Sequence, residues 1–248
     1  MPYQTSKAEQ KPIHSGSLEV HLLGTVDYSA FLGLQEHLTF EMSGRNDLNG
    51  KLFLCEHPPL ITVGREGNSN DVLVDEFECE QTCLPVRWMA RGGGAFPHAP
   101  GQLAIYLMVP LDRLAIGPSE FRTRLETAIC ESCIELKVPA KRLDHSPGIW
   151  GRGGQLGFFG SSVRSWVTNH GLFLNVCISP KYLAMTSPNS DDQRGTSIQA
   201  HRIQPIQMPK LRESLIRTIS SQFGYETTDV STGHPLLKRT PQQETSHV

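Results

Sequence analysis

The sequence predicts an α+β fold, one domain in which mixed β-sheets are packed with helices, and three features carry that prediction. Short apolar stretches separated by Pro and Gly recur along the chain, and three other segments space apolar residues three and four apart. Neither an internal repeat nor a low-complexity linker divides the 248 residues, of which 38% are hydrophobic, enough to bury one substantial core.

In chain order, residues 18–23 read as a strand. Asp27 then caps a helix whose apolar face is Phe31, Leu34, Leu38 and Met42. Stretches at 51–55, 60–63, 84–89 and 103–109 follow as strands. Phe121, Leu125, Ile129, Cys133 and Leu136 mark a second helix with Ser119 near its start. Two more strand-like runs cover 155–163 and 171–178, and Leu211, Leu215, Ile219 and Phe223 mark a third helix that Gly224 terminates. Polar, aperiodic ends set the expected boundaries: a disordered tail over 1–16, the domain over 17–228, and a second disordered tail over 229–248.

A net charge of −2 supplies no general basic field, so nucleic acid is not an expected partner. No apolar run approaches the roughly 20 residues that span a bilayer, and the N-terminus lacks the apolar core of a secretory signal. The expected setting is therefore the cytoplasm, with no membrane contact. Six cysteines are too sparse for a disulfide scaffold. Cys79/Cys83 and Cys130/Cys133 each resemble half of a zinc site, but structural zinc takes four ligands and the second pair falls within the second helix. Ordinary buried thiols are expected, with no metal and no cofactor.

Four segments concentrate polar chemistry among glycines. Arg91-Gly92-Gly93-Gly94-Ala95-Phe96-Pro97-His98-Ala-Pro-Gly-Gln102 lets backbone approach a ligand while one Arg and one His project into the same place; a plain hairpin turn is the alternative. His170-Gly171-Leu172-Phe173-Leu174-Asn175-Val176 is a His-Gly turn entering a strand, where a histidine is equally suited to a structural task. Glu56-His57-Pro-Pro-Leu-Ile-Thr-Val-Gly64-Arg65 is an extended entry to a strand that ends at glycine. Gly148-Ile-Trp150 leads into Gln155-Leu-Gly-Phe158-Phe159-Gly160 as strand, turn and strand.

These four pieces, in this order between about Val20 and Ile198, resemble the lipoyl(octanoyl) transferases, relatives of lipoate-protein and biotin-protein ligases. The resemblance implies a lipoate/biotin-protein-ligase-like fold with an apolar acyl tunnel. It implies transfer of an octanoyl group from acyl carrier protein, by way of an enzyme thioester, to a lysine on lipoyl domains of 2-oxoacid dehydrogenases or on the glycine cleavage H protein, with the enzyme acting as a monomer. Carried over, Arg91 to His98 wall one side of the pocket, Phe158, Phe159 and Gly160 a second, and Gly171, Leu172 and Phe173 the third. Phe158 and Phe159 equally suit a core.

Two departures bear on the chemistry. The family lysine that lowers the pKa of the nucleophilic thiol falls on Gln155, which carries no charge. The family cysteine, fourteen residues beyond the asparagine of H-G-L-x-L-N-V, falls on Asn189, whose amide nitrogen cannot form a thioester. A smaller departure is Ala99, where the family has glycine. Two readings follow. One is acyl transfer without the covalent step, with His98 or His170 as base, or with Cys177 as a displaced nucleophile. The other is a pseudoenzyme that binds an acyl group, carrier protein or lipoyl domain without turnover. An ATP-dependent ligase is disfavoured, because the resemblance gives those enzymes a lysine where Gln155 stands.

Overall fold

A computed structural model describes residues 15–74, 84–188 and 194–238. Asn189, Cys79 and Cys83 lie outside the described residues, as do residues 1–14 and 239–248 of the expected tails.

One sheet of seven strands forms the middle layer. Its strands are β1 (Ser17–Thr25), β2 (Gly50–Glu56), β6 (Gln102–Met108), β7 (Ile149–Gly151), β8 (Gly154–Arg164), β9 (Val167–Asn175) and β10 (Thr227–Thr232), in the spatial order β10-β1-β2-β6-β9-β8-β7. β1 runs parallel to β10 and β2, and every other pairing is antiparallel. A second sheet joins β3 (Leu60–Val63) parallel to β4 (Val86–Trp88) and antiparallel to β5 (Ala95–His98).

Alternation along the central strands assigns each face its partner. On β6, Leu103, Ile105 and Leu107 face the helices α2 (Pro118–Glu135) and α4 (Met208–Phe223), meeting Leu125, Ile129, Leu215 and Ile219. Ala104, Tyr106 and Met108 face the other way, toward Phe31, Leu34 and Leu38 of α1 (Tyr28–Ser43) and Phe96 of the small sheet. Both faces of β6 are buried, which is why it reads as a continuous apolar run. A short helix, α3 (Pro180–Leu183), follows β9.

The helices form where their apolar spacing places them, and Asp27 accepts from Ala30 N as the N-cap of α1. α2 starts next to Ser119, with Gly117 as cap and Pro118 at its first position, where a missing N–H costs nothing. α4 ends at Gly224 in the left-handed conformation, φ 80°. The boundary drawn at residue 228 falls inside β10, whose pairing with β1 extends the ordered chain beyond it; its sequence TTDVST is polar because it is an exposed edge. Cys130 and Cys133 are buried in α2, and no metal-binding cluster occurs among the described residues. No helix among them is long and apolar enough to cross a membrane.

Gly171 marks the tightest approach between central strands, since an added Cβ would lie 2.0 Å from the Ile105 carbonyl oxygen. Gly171→Ala is expected to destabilise the protein by about 2–3 kcal/mol through overpacking. Gly33→Ala, on the exposed side of α1 with nothing within 4 Å of the new methyl, is expected to stabilise it by about 0.5–1 kcal/mol. Urea unfolding of both variants checks the pair, and equal midpoints contradict the packing.

Candidate functional site

The site is built around a buried guanidinium. Arg91, in the turn between β4 and β5, is fully buried, and its Nη2 donates to the Thr62 carbonyl at 2.8 Å, to Thr62 Oγ1 at 2.7 Å and to the Gly94 carbonyl at 3.1 Å. Its Nη1 donates to the Gly92 carbonyl at 2.8 Å, and the guanidinium lies 3.8 Å above the Phe96 ring. Burial pulls its pKa down to about 10, which leaves it charged at neutral pH. These oxygens and the ring replace the water and the counter-charge that a buried cation otherwise needs.

The Gln102 amide sets the direction of the protons along the chain, because its Nε2 donates to the Pro97 carbonyl and leaves Oε1 to accept from His98. Thr62 Oγ1 accepts from Arg91 and lies 2.8 Å from His98 Nε2, to which its hydroxyl donates when the ring carries its hydrogen on Nδ1. His98 carries its hydrogen on Nδ1, which donates to Gln102 Oε1 at 2.9 Å. Gln102 Nε2 donates to the Pro97 carbonyl and to Asn175 Oδ1, both at 2.9 Å. Asn175 Nδ2 ends the chain at the Gln155 carbonyl, 3.4 Å away. The chain ties β3, β5, β6, β9 and β8 together, and all six of its residues are buried.

Beside this chain lies a cavity of about 240 Å3, lined by Glu66, Asn68, Asp71, Gly93, Gly94, Phe96, His145, Ser146, Pro147, Gln155, Phe159 and Pro188. Gly94 is a required glycine, because a Cβ there would lie 2.6 Å from the Pro188 carbonyl oxygen. Gln155 presents no cation: its Nε2 donates to the Pro147 carbonyl at 2.8 Å, and its N–H donates to the Arg194 carbonyl at 3.1 Å. Pro188 and Arg194, the described residues nearest Asn189 on either side, thus both border this region.

The loop bearing His145 is held from three directions. Glu126 Oε1 accepts from Gly148 N at 2.6 Å, Arg122 Nη2 donates to the Leu143 carbonyl at 2.8 Å, and Trp150 Nε1 donates to the Ser146 carbonyl at 3.0 Å. Burial raises the Glu126 pKa, while Gly148 N–H and Arg122 act against that rise.

Of the expected pocket residues, Gly93, Gly94, Phe96, Phe159 and Gln155 come together on the cavity. Arg91, Gly92, Ala95, Pro97 and His98 do not line it, and Gly160 backs onto Phe96 and the Arg91 side chain. Phe158 and Phe173 are core: Phe96 stacks on Phe158 at 5.1 Å and meets Phe173 at 6.1 Å, filling the space between the sheets. Leu172 packs with the helices on the opposite face.

Neither histidine offered as a base lines the cavity. Both ring nitrogens of His98 are engaged, and burial, with His57 and Arg91 nearby, holds its pKa well below the usual imidazole range. His170 sits at φ 55° in β9, with its N–H donating to Gln35 Oε1 at 3.1 Å; burial, then Arg91 and Arg65, lowers its pKa to about 4. Cys177 lies beyond the end of β9, exposed, its thiol pKa raised by partial burial and Glu56 and therefore poorly suited to attack.

Sequence reasoning did not single out Glu66, Asn68, Asp71, His145 or Thr62. The signal present was position alone, since the first three follow the Gly64-Arg65 end of a motif and His145 precedes the Gly148-Ile-Trp150 turn.

Residues 27–220 match the family described as the lipoyl protein ligase A/B catalytic domain. An octanoyltransferase of Bacteroides fragilis is 31% identical over 175 residues, covering 68% of this chain and 79% of that protein. One from Desulforamulus reducens is 29% identical over 211 residues, covering 84% and 92%. Among solved structures, lipoate-protein ligase A bound with ATP aligns with a TM-score of 0.71 at 14% identity, over 89% of this chain and 90% of the other. A bi-partite lipoate protein ligase with its E2 lipoyl domain from Thermoplasma acidophilum aligns at 0.69 and 14%, over 89% and 88%. At these identities the structural likeness speaks to the fold.

Two outcomes are expected from the proton chain. Thr62→Val, which removes the hydroxyl between Arg91 and His98, costs about 2–4 kcal/mol in urea unfolding, whereas Thr62→Ser costs about 1 kcal/mol; equal losses contradict the relay. Second, His57 and His170 are held near pKa 4, and His98 is also depressed, all chiefly by burial. The unfolded chain takes up these protons below about pH 6.5 while the folded one refuses them, so stability is full above that pH and falls as pH drops toward 4. Urea midpoints that stay flat between about pH 7 and 5 contradict this assignment.

Proposed function

The chain belongs to the family of lipoyl protein ligase A/B catalytic domains, and from that premise we propose that it passes an octanoyl group from acyl carrier protein directly to a lysine of a lipoyl domain, with no thioester on the enzyme. Its octanoyltransferase relatives make it an acyltransferase. The acceptors we assign are lipoyl domains of 2-oxoacid dehydrogenases or the glycine cleavage H protein, met in the cytoplasm by a monomer.

The observation that carries this reading is Gln155. It lines the cavity together with Gly93, Gly94 and Phe159, which supports reading that cavity as the acyl site, and its amide is turned to the Pro147 carbonyl and supplies no charge to activate a thiol. Asn189 as the counterpart of the family nucleophile agrees with that loss, since a lysine has no remaining task once the thiol is gone.

An octanoyl thioester is already activated, and holding it beside an amine lends much of the rate through proximity. The lysine nitrogen attacks the thioester carbonyl, the carbon–sulfur bond breaks, and the amine proton moves to a base and on to the leaving thiolate. His145 is the histidine that lines the cavity, and imidazole is the side-chain type suited to that proton near neutral pH. His98 and His170 then serve as positioning residues behind the wall.

The second reading, a pseudoenzyme that binds without turnover, draws on the same turned amide. Octanoyl-carrier protein and lipoyl domain, incubated with wild type, Gln155→Lys/Asn189→Cys and His145→Ala, separate the two. Direct transfer predicts activity in wild type and a loss of about 10²-fold or more in His145→Ala. Activity in the double variant alone, with an inactive wild type, establishes the pseudoenzyme instead.

A further inference from the structure

A groove of about 730 Å3 lies between the C-terminal end of α2 and β7. Its floor is apolar, with Ile134, Val138 and Trp150, and Ile134 is 56% exposed although hydrophobic. Lys137, Lys141 and Arg152 are its charged lining, and no carboxylate joins them. Among the described residues none of the three takes part in an ion pair. In a chain of net charge −2 this is a local reversal of sign. The larger groove beside α4 offers a contrast, because Arg212 and Arg217 there are accompanied by Glu213 and Glu226.

Trp150 joins the groove to the cavity. Its indole donates to the carbonyl of Ser146, a cavity residue, and it pairs across β7 and β8 with Gln155. A partner seated on Trp150 is therefore one side chain away from the acyl site.

We infer that this groove is the docking surface for an acidic amphipathic helix of the protein that delivers the acyl group. The inference rests on the proposed acyl transfer and names where the donor sits. A cationic rim around an apolar floor fits a helix that presents apolar residues at three- and four-residue spacing with carboxylates beside them. Nucleic acid requires a longer run of cations along a polar track, and this groove has three around an apolar centre. Complementary charge at such a rim raises the association rate and makes it salt-dependent.

The test compares wild type with Lys137→Glu/Lys141→Glu/Arg152→Glu, measuring affinity for octanoyl-acyl carrier protein at low and high salt and, separately, for octanoyl-pantetheine, which lacks the protein. The triple variant is expected to lose about tenfold or more in carrier affinity at low salt, to lose most of its salt dependence, and to bind the small thioester as wild type does. Ile134→Glu, which alters the floor with a single change, is expected to weaken carrier binding in the same way and guards against misfolding of the triple variant. Carrier affinity unchanged in both variants overturns the inference, as does a wild type that binds anionic vesicles or RNA but not the carrier. Carrier binding lost through the groove, with no small-thioester binding by either protein, supports the docking surface and removes the proposed reaction instead.

Discussion

Arg91 can only donate hydrogen bonds, and among the described residues it is buried without an ion pair, so the oxygens it meets accept from it. The chain continues through Thr62, His98, Gln102 and Asn175 to the backbone at Gln155, and the Gln102 amide, donating through Nε2 and accepting through Oε1, orients the His98 ring within it. Removing a link strands a buried donor or acceptor, which is costlier than never having formed the bond. The two sheets are thereby linked through buried polar atoms as well as through apolar packing.

The layers explain why the relay can be dry. β6 is buried on both faces, between α2 and α4 on one side and α1 with the small sheet on the other. Phe96, Phe158 and Phe173 close the space between sheets, and the cavity remains only where glycines at 93 and 94 replace side chains. His170, held at φ 55° by Gln35 beside the close contact at Gly171, is a non-glycine residue in a sparsely populated conformation at the edge of this region.

Much of the fold was legible because burial and periodicity agree. Phe31, Leu34, Leu38 and Met42, like Leu211, Leu215, Ile219 and Phe223, form helix faces as their spacing implies. The strands that escaped are those without a local signal. β5 contains Pro97, tolerated because β5 is an edge. β10 is polar and exists through its pairing with β1. The site was legible as motifs but not as roles. Arg91 and His98 look like groups reaching for a ligand, whereas they are buried in partnership with Thr62 and Gln102, a cross-strand relation that no local pattern encodes. His145 was invisible because its place depends on Glu126, Arg122 and Trp150 holding its loop.

The proposed function depends on this frame, because the cavity that Gln155 lines keeps its shape only if other atoms hold the walls. Nitrogen-15 NMR of the imidazole of His98 in the full chain tests that frame most directly. The relay predicts a ring that is neutral at neutral pH, with its proton on Nδ1 and an unprotonated, hydrogen-bond-accepting Nε2. A proton on Nε2, or titration of His98 near neutral pH, contradicts it.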